Sequence, residues 1–142
     1  MIPTSDKIKL FVITAILDII LIRTLMKSKL NKFDTRFVYI ILVSHALFYF
    51  SLTFYNKKIL DILHVVIFAA LAASIFLTNI YLILLCLLLL ITIQILWVIE
   101  SRCILNEDGE KWGCGDILNV FTIIWTIMLI FKLLCPQQIS HI

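Results

Sequence analysis

The chain has 142 residues, of which 63% are hydrophobic and only 15% are charged. This composition excludes an ordinary water-soluble fold, and three glycines and two prolines are too few for a many-stranded barrel or a Gly-rich phosphate loop. The formal net charge of +3 is modest and its basic residues fall between apolar stretches, which excludes a nucleic-acid-binding surface.

Five apolar stretches follow one another, each close to the roughly 20 residues that a membrane-spanning helix needs. They predict an all-α, polytopic transmembrane bundle that forms a single domain over residues 1–142. The predicted spans are residues 8–26, 36–55, 59–77, 80–99 and 117–134, with one sizeable loop at residues 100–116.

The boundary between the third and fourth stretches consists only of Thr78 and Asn79, so four spans are an alternative to five. An unbroken helix over residues 59–99 would be about 60 Å long, which is twice the thickness of the hydrocarbon core. We therefore place a break at Asn79.

The basic residues around the first span are unevenly distributed. Lys7 and Lys9 precede it, and a denser basic segment from Lys27 to Arg36 follows it. By the positive-inside rule, this predicts an integral membrane protein with an exoplasmic N-terminus and a cytoplasmic first loop.

Asp18 lies near the middle of the first span, where a carboxylate costs roughly 2.5 to 3.5 kcal/mol on insertion scales. Arg23 is about 140° away around the helix and is a poor partner, whereas His45 lies near the middle of the second span. One interpretation is a buried pair of Asp18 and His45 that holds a proton or gates a polar path. The interpretation favoured by the sequence is a protonated Asp18 bonded to a neighbouring hydroxyl, or a first helix that sits shallowly.

The second and third spans each carry a histidine, His45 and His64, as in membrane cytochromes that ligate haem from two helices. In an antiparallel hairpin that turns near residue 57, the two rings are offset by about 7.5 Å along the helix axes. Haem is therefore disfavoured and we predict no cofactor. His64 is expected to face the membrane interface near Asp61.

The third span also carries small residues at the four-residue spacing that lets helix backbones approach closely, in the pairs Ala69 with Ala73 and Ala70 with Ser74. We expect this helix to be the centre of the bundle or a site of self-association into a homo-oligomer.

The fifth span carries a polar stripe, because Asn119, Thr122 and Thr126 occur at positions i, i+3 and i+7 of a helix. The stripe should point into the bundle, where Gln94 of the fourth span is the expected partner. Packing through hydrogen bonds is favoured over the lining of a pore.

The loop at residues 100–116 contains Cys103 and Cys114. On the exoplasmic side their spacing is compatible with a disulfide, and free thiols are an equally good interpretation. Two cysteines without a nearby histidine make a poor zinc site, and the Cys-x-x-Cys spacing of a thiol oxidoreductase is missing. We therefore predict no metal site.

The segment from Trp97 to Arg102-Cys103-Ile104-Leu105-Asn106 resembles a short signature of small uncharacterised multi-pass membrane proteins of bacteria and large DNA viruses. In that signature, a tryptophan-containing span leads into Cys-x-Leu-Thr and then a glutamate. Here Asn106 stands in place of the threonine, and Glu110 is displaced by one position. The resemblance implies no activity, and no functional residue is carried over from it.

Three classes of function follow from these features, in a definite order. A structural, assembly or interaction protein ranks first, because it needs only packed spans and an exposed loop. An oligomeric ion or proton channel or small transporter ranks second, with Asp18, His45, Gln94 and Asn119 as its candidate liners. A membrane-embedded enzyme ranks last, because no His-rich, Asp-rich or Gly-rich catalytic motif is present and no catalytic residue is predicted. The predicted partners are the lipid bilayer and further copies of the chain, and not nucleic acid.

Overall fold

The computed structural model describes residues 4–100 and 115–135, without the side chains of residue 100 and of residues 115–118. Within these ranges the chain forms five α-helices and one 3-10 turn, and no β-strand. The helices are α1 (Thr4–Lys27), α2 (Lys32–Thr53), α3 (Lys57–Ala73), α4 (Ile80–Glu100) and α5 (Gly115–Leu134), and the 3-10 turn η1 is Ser74–Phe76. The prediction of an all-α fold is therefore confirmed.

Three helical segments are long and apolar enough to cross a membrane, namely Lys32–Thr53, Lys57–Phe76 and Ile80–Ile99. Helix α1 is not among them, since Asp18 and Arg23 interrupt its apolar run. The apolar part of α5 with described side chains, Asn119–Leu134, is shorter than the other three. The bundle therefore has three candidate spans, and the number of five stays a prediction.

Asparagine side chains begin three of the helices. The Asn31 side-chain oxygen accepts a hydrogen bond from the backbone N–H of Asp34 at 2.7 Å, so α2 begins at Lys32 and not at the predicted residue 36. Asn56 caps α3 in the same way. Asn79 Oδ1 accepts from the N–H of Tyr81 at 3.0 Å, which starts α4 directly after the break in the chain.

Helix α4 lies at the centre of the bundle, where it packs against α1, α5 and η1, while α2 packs against α1 and α3. Apolar residues occupy nearly every face of α4, so one face packs in the core while others, with Leu84 and Leu88, point outward. Its buried side chains are Leu82, Ile83, Leu85, Cys86 and Leu90.

The small residues of α3 lie mostly away from this core. Ala69 is exposed, and Ala70 and Ala73 are only partly buried. Ser74, which belongs to η1, is fully buried and donates its hydroxyl to the carbonyl of Leu71 at 2.6 Å. The central helix is therefore α4, and not α3 as the sequence had predicted for one of two alternatives. The other alternative, self-association through the alanines, stays a prediction.

The outer surface is covered with large apolar side chains. Ile19 of α1 is 67% exposed, and Phe131 of α5 is 68% exposed. An exterior of large apolar side chains is unfavourable in water and favourable in lipid. Even α1 and α5, which are absent from the three candidate spans, therefore present an apolar exterior.

Candidate functional site

A cluster of three polar side chains lies between α1 and α2. His45 Nδ1 is 2.5 Å from Asp18 Oδ1, and the Tyr49 hydroxyl donates to Asp18 Oδ2 at 3.0 Å. Both oxygens of the carboxylate therefore have a partner inside the bundle. The Tyr49 ring is held by Phe11, on which it stacks with ring centroids 5.2 Å apart.

The carboxylate of Asp18 contacts the histidine of one sequence interpretation and also a hydroxyl, as the other expected, while a protonated Asp18 and a shallow first helix stay predictions. With Asp18 ionised, His45 donates its Nδ1–H, and the pair is an ion pair whenever the imidazole carries a second proton. Tyr49 was missed by the sequence reasoning. The available signal was its position four residues after His45, which puts both on one face of α2.

A cavity of about 140 Å³ lies between α1, α2, α3 and α4 beside this cluster. Apolar side chains make up most of its wall. The polar residues that line it are Thr14, Ser44, His45, His64, Thr92 and Trp97. The cavity therefore combines an apolar interior with a few hydrogen-bonding groups, as small-molecule sites do.

His64 is buried, with 5% of its surface exposed, and its ring stacks on Phe68 with centroids 5.5 Å apart. The expectation that His64 faces the membrane interface is therefore wrong. The rotation of α3 about its axis turns this side chain toward the cavity, where its ring packs against Phe68.

A second polar cluster joins α4 and α5. Gln94 Nε2 donates to Thr126 Oγ1 at 2.8 Å, and Thr126 Oγ1 donates to the carbonyl of Thr122 at 2.7 Å. Thr122 Oγ1 in turn donates to the carbonyl of Asn119 at 2.8 Å. Thr126 of the fifth-span stripe thus contacts α4, the hydroxyls of Thr122 and Thr126 each donate within α5, and Asn119 takes part through its backbone carbonyl.

The turn between η1 and α4 is fastened by Asp34 of α2. The fully buried carboxylate accepts hydrogen bonds from the backbone N–H of Thr78 and Asn79, the latter at 2.8 Å, and from the Thr78 hydroxyl at 2.9 Å. Asn31 Nδ2 also donates to Thr78 Oγ1 at 2.8 Å. This cluster, which we call the Asp34 junction, ties the start of α2 to the start of α4.

Lys132 of α5 extends the Asp34 junction, because its ammonium donates to the backbone carbonyls of Ile75 and Leu77. The carbonyls at the end of a helical segment lack helical partners, so a cation there satisfies them. The sequence reasoning assigned no role to Lys132 or to this use of Asp34. Contacts between residues more than 40 positions apart left no local pattern in the sequence.

Several predictions concern residues that the structure does not describe. Cys103 and Cys114 lie outside the described residues, as does most of the loop at residues 100–116. Cys86 is buried and Cys135 is exposed, and both are free thiols. Among the side chains that the structure describes, at residues 4–99 and 119–135, no group of three or more His, Cys, Asp or Glu could hold a metal ion.

In comparisons with known proteins, no family model, no curated protein and no solved structure matches this chain. The resemblance around Trp97 and Cys103 stays a prediction. The function of this chain therefore has to be inferred from the chemistry of its helices.

Proposed function

We propose that this chain is an integral, multi-pass membrane protein with a structural, assembly or interaction role, in which all five helices span the bilayer. One observation carries the proposal. Asp18 is paired with His45 and Tyr49, and Gln94 is paired with Thr126, in separate clusters inside the bundle, while many outward side chains are large and apolar. A bundle of this kind suits a medium that offers no hydrogen bonds of its own.

Helix length supports five spans. Helix α1 has 24 residues and α5 has 20, which correspond to about 36 Å and 30 Å of helix, against a hydrocarbon core of about 30 Å. The charged groups of α1 are compatible with a span. Asp18 has two partners inside the bundle, and the exposed Arg23 is close enough to the helix end to extend to the interface.

The arrangement of the two polar clusters favours a structural role over a pore. The cluster of Asp18 lies between α1 and α2, and the cluster of Gln94 lies between α4 and α5. No hydrogen bond links the two clusters in the described part of the chain. A single chain therefore offers two local polar contacts and not one continuous polar path.

Carbonate extraction of membranes that contain the full chain tests the membrane location. We expect the protein to stay in the membrane pellet and to require detergent for release. Release into the carbonate supernatant would contradict the proposal.

Self-association through α3 is tested by the mass of the detergent-solubilised particle. We expect a multiple of the 16.5 kDa chain for the wild type. Ala69→Leu should reduce that mass, because a larger side chain prevents close backbone approach. The matched control is Ala46→Leu, at an exposed alanine of α2, which should not change it. A wild-type monomer, or equal effects of the two variants, would contradict an assembly through α3.

The direction of insertion is tested with a membrane-impermeant maleimide on intact vesicles. Five spans with an exoplasmic N-terminus place Cys103 and Cys114 outside and Cys135 inside. Labelling of the loop cysteines from outside, with Cys135 protected, is the expected result. A disulfide would require reduction before labelling. Labelling of Cys135 from the same side as the loop would exclude five spans.

A proton or cation channel is the second candidate, and the contact between Asp18 and His45 beside a cavity is the observation that favours it. Flux into proteoliposomes should then be lost in Asp18→Asn and kept in Asp61→Asn, which changes an exposed carboxylate. Equal and negligible flux in all three proteins would remove the channel and leave the structural role.

A further inference from the structure

The cavity between α1, α2, α3 and α4 has the size of one small ring. Its volume is about 140 Å³. An apolar cavity of about 150 Å³ in a protein interior is large enough to take up a benzene molecule. A porphyrin, which joins four five-membered pyrrole rings into one macrocycle, is much larger. The volume therefore selects a ligand whose buried part is a single six-membered ring.

Thr14 provides a hydrogen-bonding group that the protein does not use. It lies on the cavity wall with 6% of its surface exposed, and its hydroxyl makes no hydrogen bond within the described ranges. The other hydroxyls on the wall are satisfied, since Ser44 and Thr92 each donate to a carbonyl of their own helix at 2.8 Å. The Thr14 hydroxyl is not fully buried, since it lies on the cavity wall, and an oxygen atom of a ligand there would accept its hydrogen bond.

His45 adds a group that can either donate or accept. Its Nδ1 is engaged by Asp18, and its ring also lines the cavity, so Nε2 is the atom left for a ligand. In the neutral imidazole Nε2 accepts from a hydroxyl, and in the imidazolium it donates to a carbonyl. His45, held by Asp18, can therefore bind a ring oxygen whether that oxygen is a hydroxyl or a carbonyl.

Aromatic side chains complete the wall. Phe48, Phe68 and Trp97 all line the cavity, and flat rings pack well against such side chains in offset or edge-to-face contact. The cavity is also partly open, which leaves an exit for a chain attached to the ring.

We propose that this cavity binds a lipid-soluble molecule with one six-membered ring bearing carbonyl or hydroxyl oxygens, the class of the tailed benzoquinones and their quinols. Thr14 and His45 bind the ring oxygens, and the tail extends through the open side of the cavity. The inference rests on the proposed membrane location and is independent of the oligomeric role. It concerns binding alone and includes no electron transfer.

The test measures quenching of Trp97 fluorescence in lipid nanodiscs. The chain has three tryptophans, so Trp112→Phe and Trp125→Phe leave Trp97 as the reporter. The probes are a 1,4-benzoquinone that carries a decyl chain and the corresponding quinol. We expect saturable quenching by the quinone and displacement of the quinone by the quinol. Quenching that rises linearly without saturation would indicate simple partition into lipid and would overturn the proposal.

Two matched substitutions on α2 separate the cavity from the lipid surface. Ser44→Phe fills the cavity and should abolish saturable quenching, whereas Val43→Phe changes a side chain that is 61% exposed and should leave it intact. Equal quenching in the two variants would overturn the proposal. Both variants should remain in carbonate-washed membranes. A loss of quinone binding can then be distinguished from a loss of membrane insertion.

The hydrogen-bonding part of the proposal has its own controls. Thr14→Val keeps the shape of the side chain and should weaken quinone binding about five- to tenfold, as expected for one hydrogen bond. Decylbenzene, which has the ring and the tail but no oxygen, should compete at least tenfold more weakly than the quinol. Equal competition by decylbenzene, together with no effect of Thr14→Val, would overturn the assigned ligand class.

Discussion

Removal of the Asp34 carboxylate should loosen the whole bundle, because it holds the turn from which the central helix begins. The side chain is fully buried and accepts three hydrogen bonds, from the Thr78 hydroxyl and from the N–H groups of Thr78 and Asn79. Asp34→Ala therefore leaves three donors without their acceptor at the start of α4.

The magnitude follows from the charge and the burial of the group. A hydrogen bond to an ionised group contributes about 1.5 to 3 kcal/mol, and loss of one partner from a buried charged contact costs about 3 to 5 kcal/mol. Thr78 is only partly buried, so water replaces part of the loss there. We expect Asp34→Ala to lower the free energy of unfolding by about 3 kcal/mol. Asp34→Asn, which keeps one acceptor oxygen, should lower it by about half as much.

The buried thiol of Cys86 provides the assay. This side chain is 6% exposed in the core of α4, so it reacts with a maleimide only when the bundle opens. In a background with Cys103, Cys114 and Cys135 replaced by serine, its rate of labelling across a dodecyl sulfate titration in mixed micelles gives the free energy of unfolding.

The matched control for this measurement is Asp61→Ala, which removes an exposed carboxylate from α3. It should change the free energy of unfolding by less than about 0.5 kcal/mol. If Asp34→Ala costs less than about 1 kcal/mol, or no more than Asp61→Ala, the hydrogen bonds of the Asp34 junction do not hold α4 in place and the reasoning fails.

Three further outcomes are expected in the same assay. Lys132→Met removes the cation from the two carbonyl groups next to the Asp34 junction and should lower the free energy of unfolding by about 1 to 3 kcal/mol. The control Lys58→Met, at an exposed lysine, should leave it nearly unchanged. Equal effects of the two variants would contradict the assigned contact. In a double-mutant cycle, Gln94→Leu and Thr126→Val should couple by about 0.6 kcal/mol, and a coupling of zero would mean that their hydrogen bond adds nothing. Leu82→Ala, at a fully buried position, should cost about 2 to 5 kcal/mol, and a cost under about 1 kcal/mol would place this side chain outside the core.

The candidate site was predictable in part, and the reason lies in helix geometry. Asp18 and His45 each fall near the middle of a long apolar stretch, and two antiparallel helices joined by a short turn bring their middles together. Helix length therefore predicts that the two residues lie at the same depth in the membrane, but not which side of each helix they face. It could not show that Tyr49 also faces Asp18, or that Thr14 and His64 line a common cavity.

The Asp34 junction was not predictable from local pattern. Asp34 reads as a first-turn acidic residue that stabilises α2, and Lys132 reads as a basic residue near the end of α5. Both interpretations are correct for the isolated helices. The contacts with Thr78 and with the end of η1 arise only because the helix ends of α2, α4 and α5 meet at one end of the bundle.

The sequence alone determined the helical secondary structure of this protein and predicted lipid as its environment. Long apolar stretches with few glycines or prolines can satisfy their backbone groups in lipid only as helices, and the length of residues 59–99 predicted the break at Asn79. The caps at Asn31 and Asn56 were found only in the structure. The tertiary structure decided which face of each helix meets which neighbour. The physical reason is that helices apolar on nearly every face carry no stripe that fixes their rotation, so side-chain packing and a few buried polar contacts have to fix it.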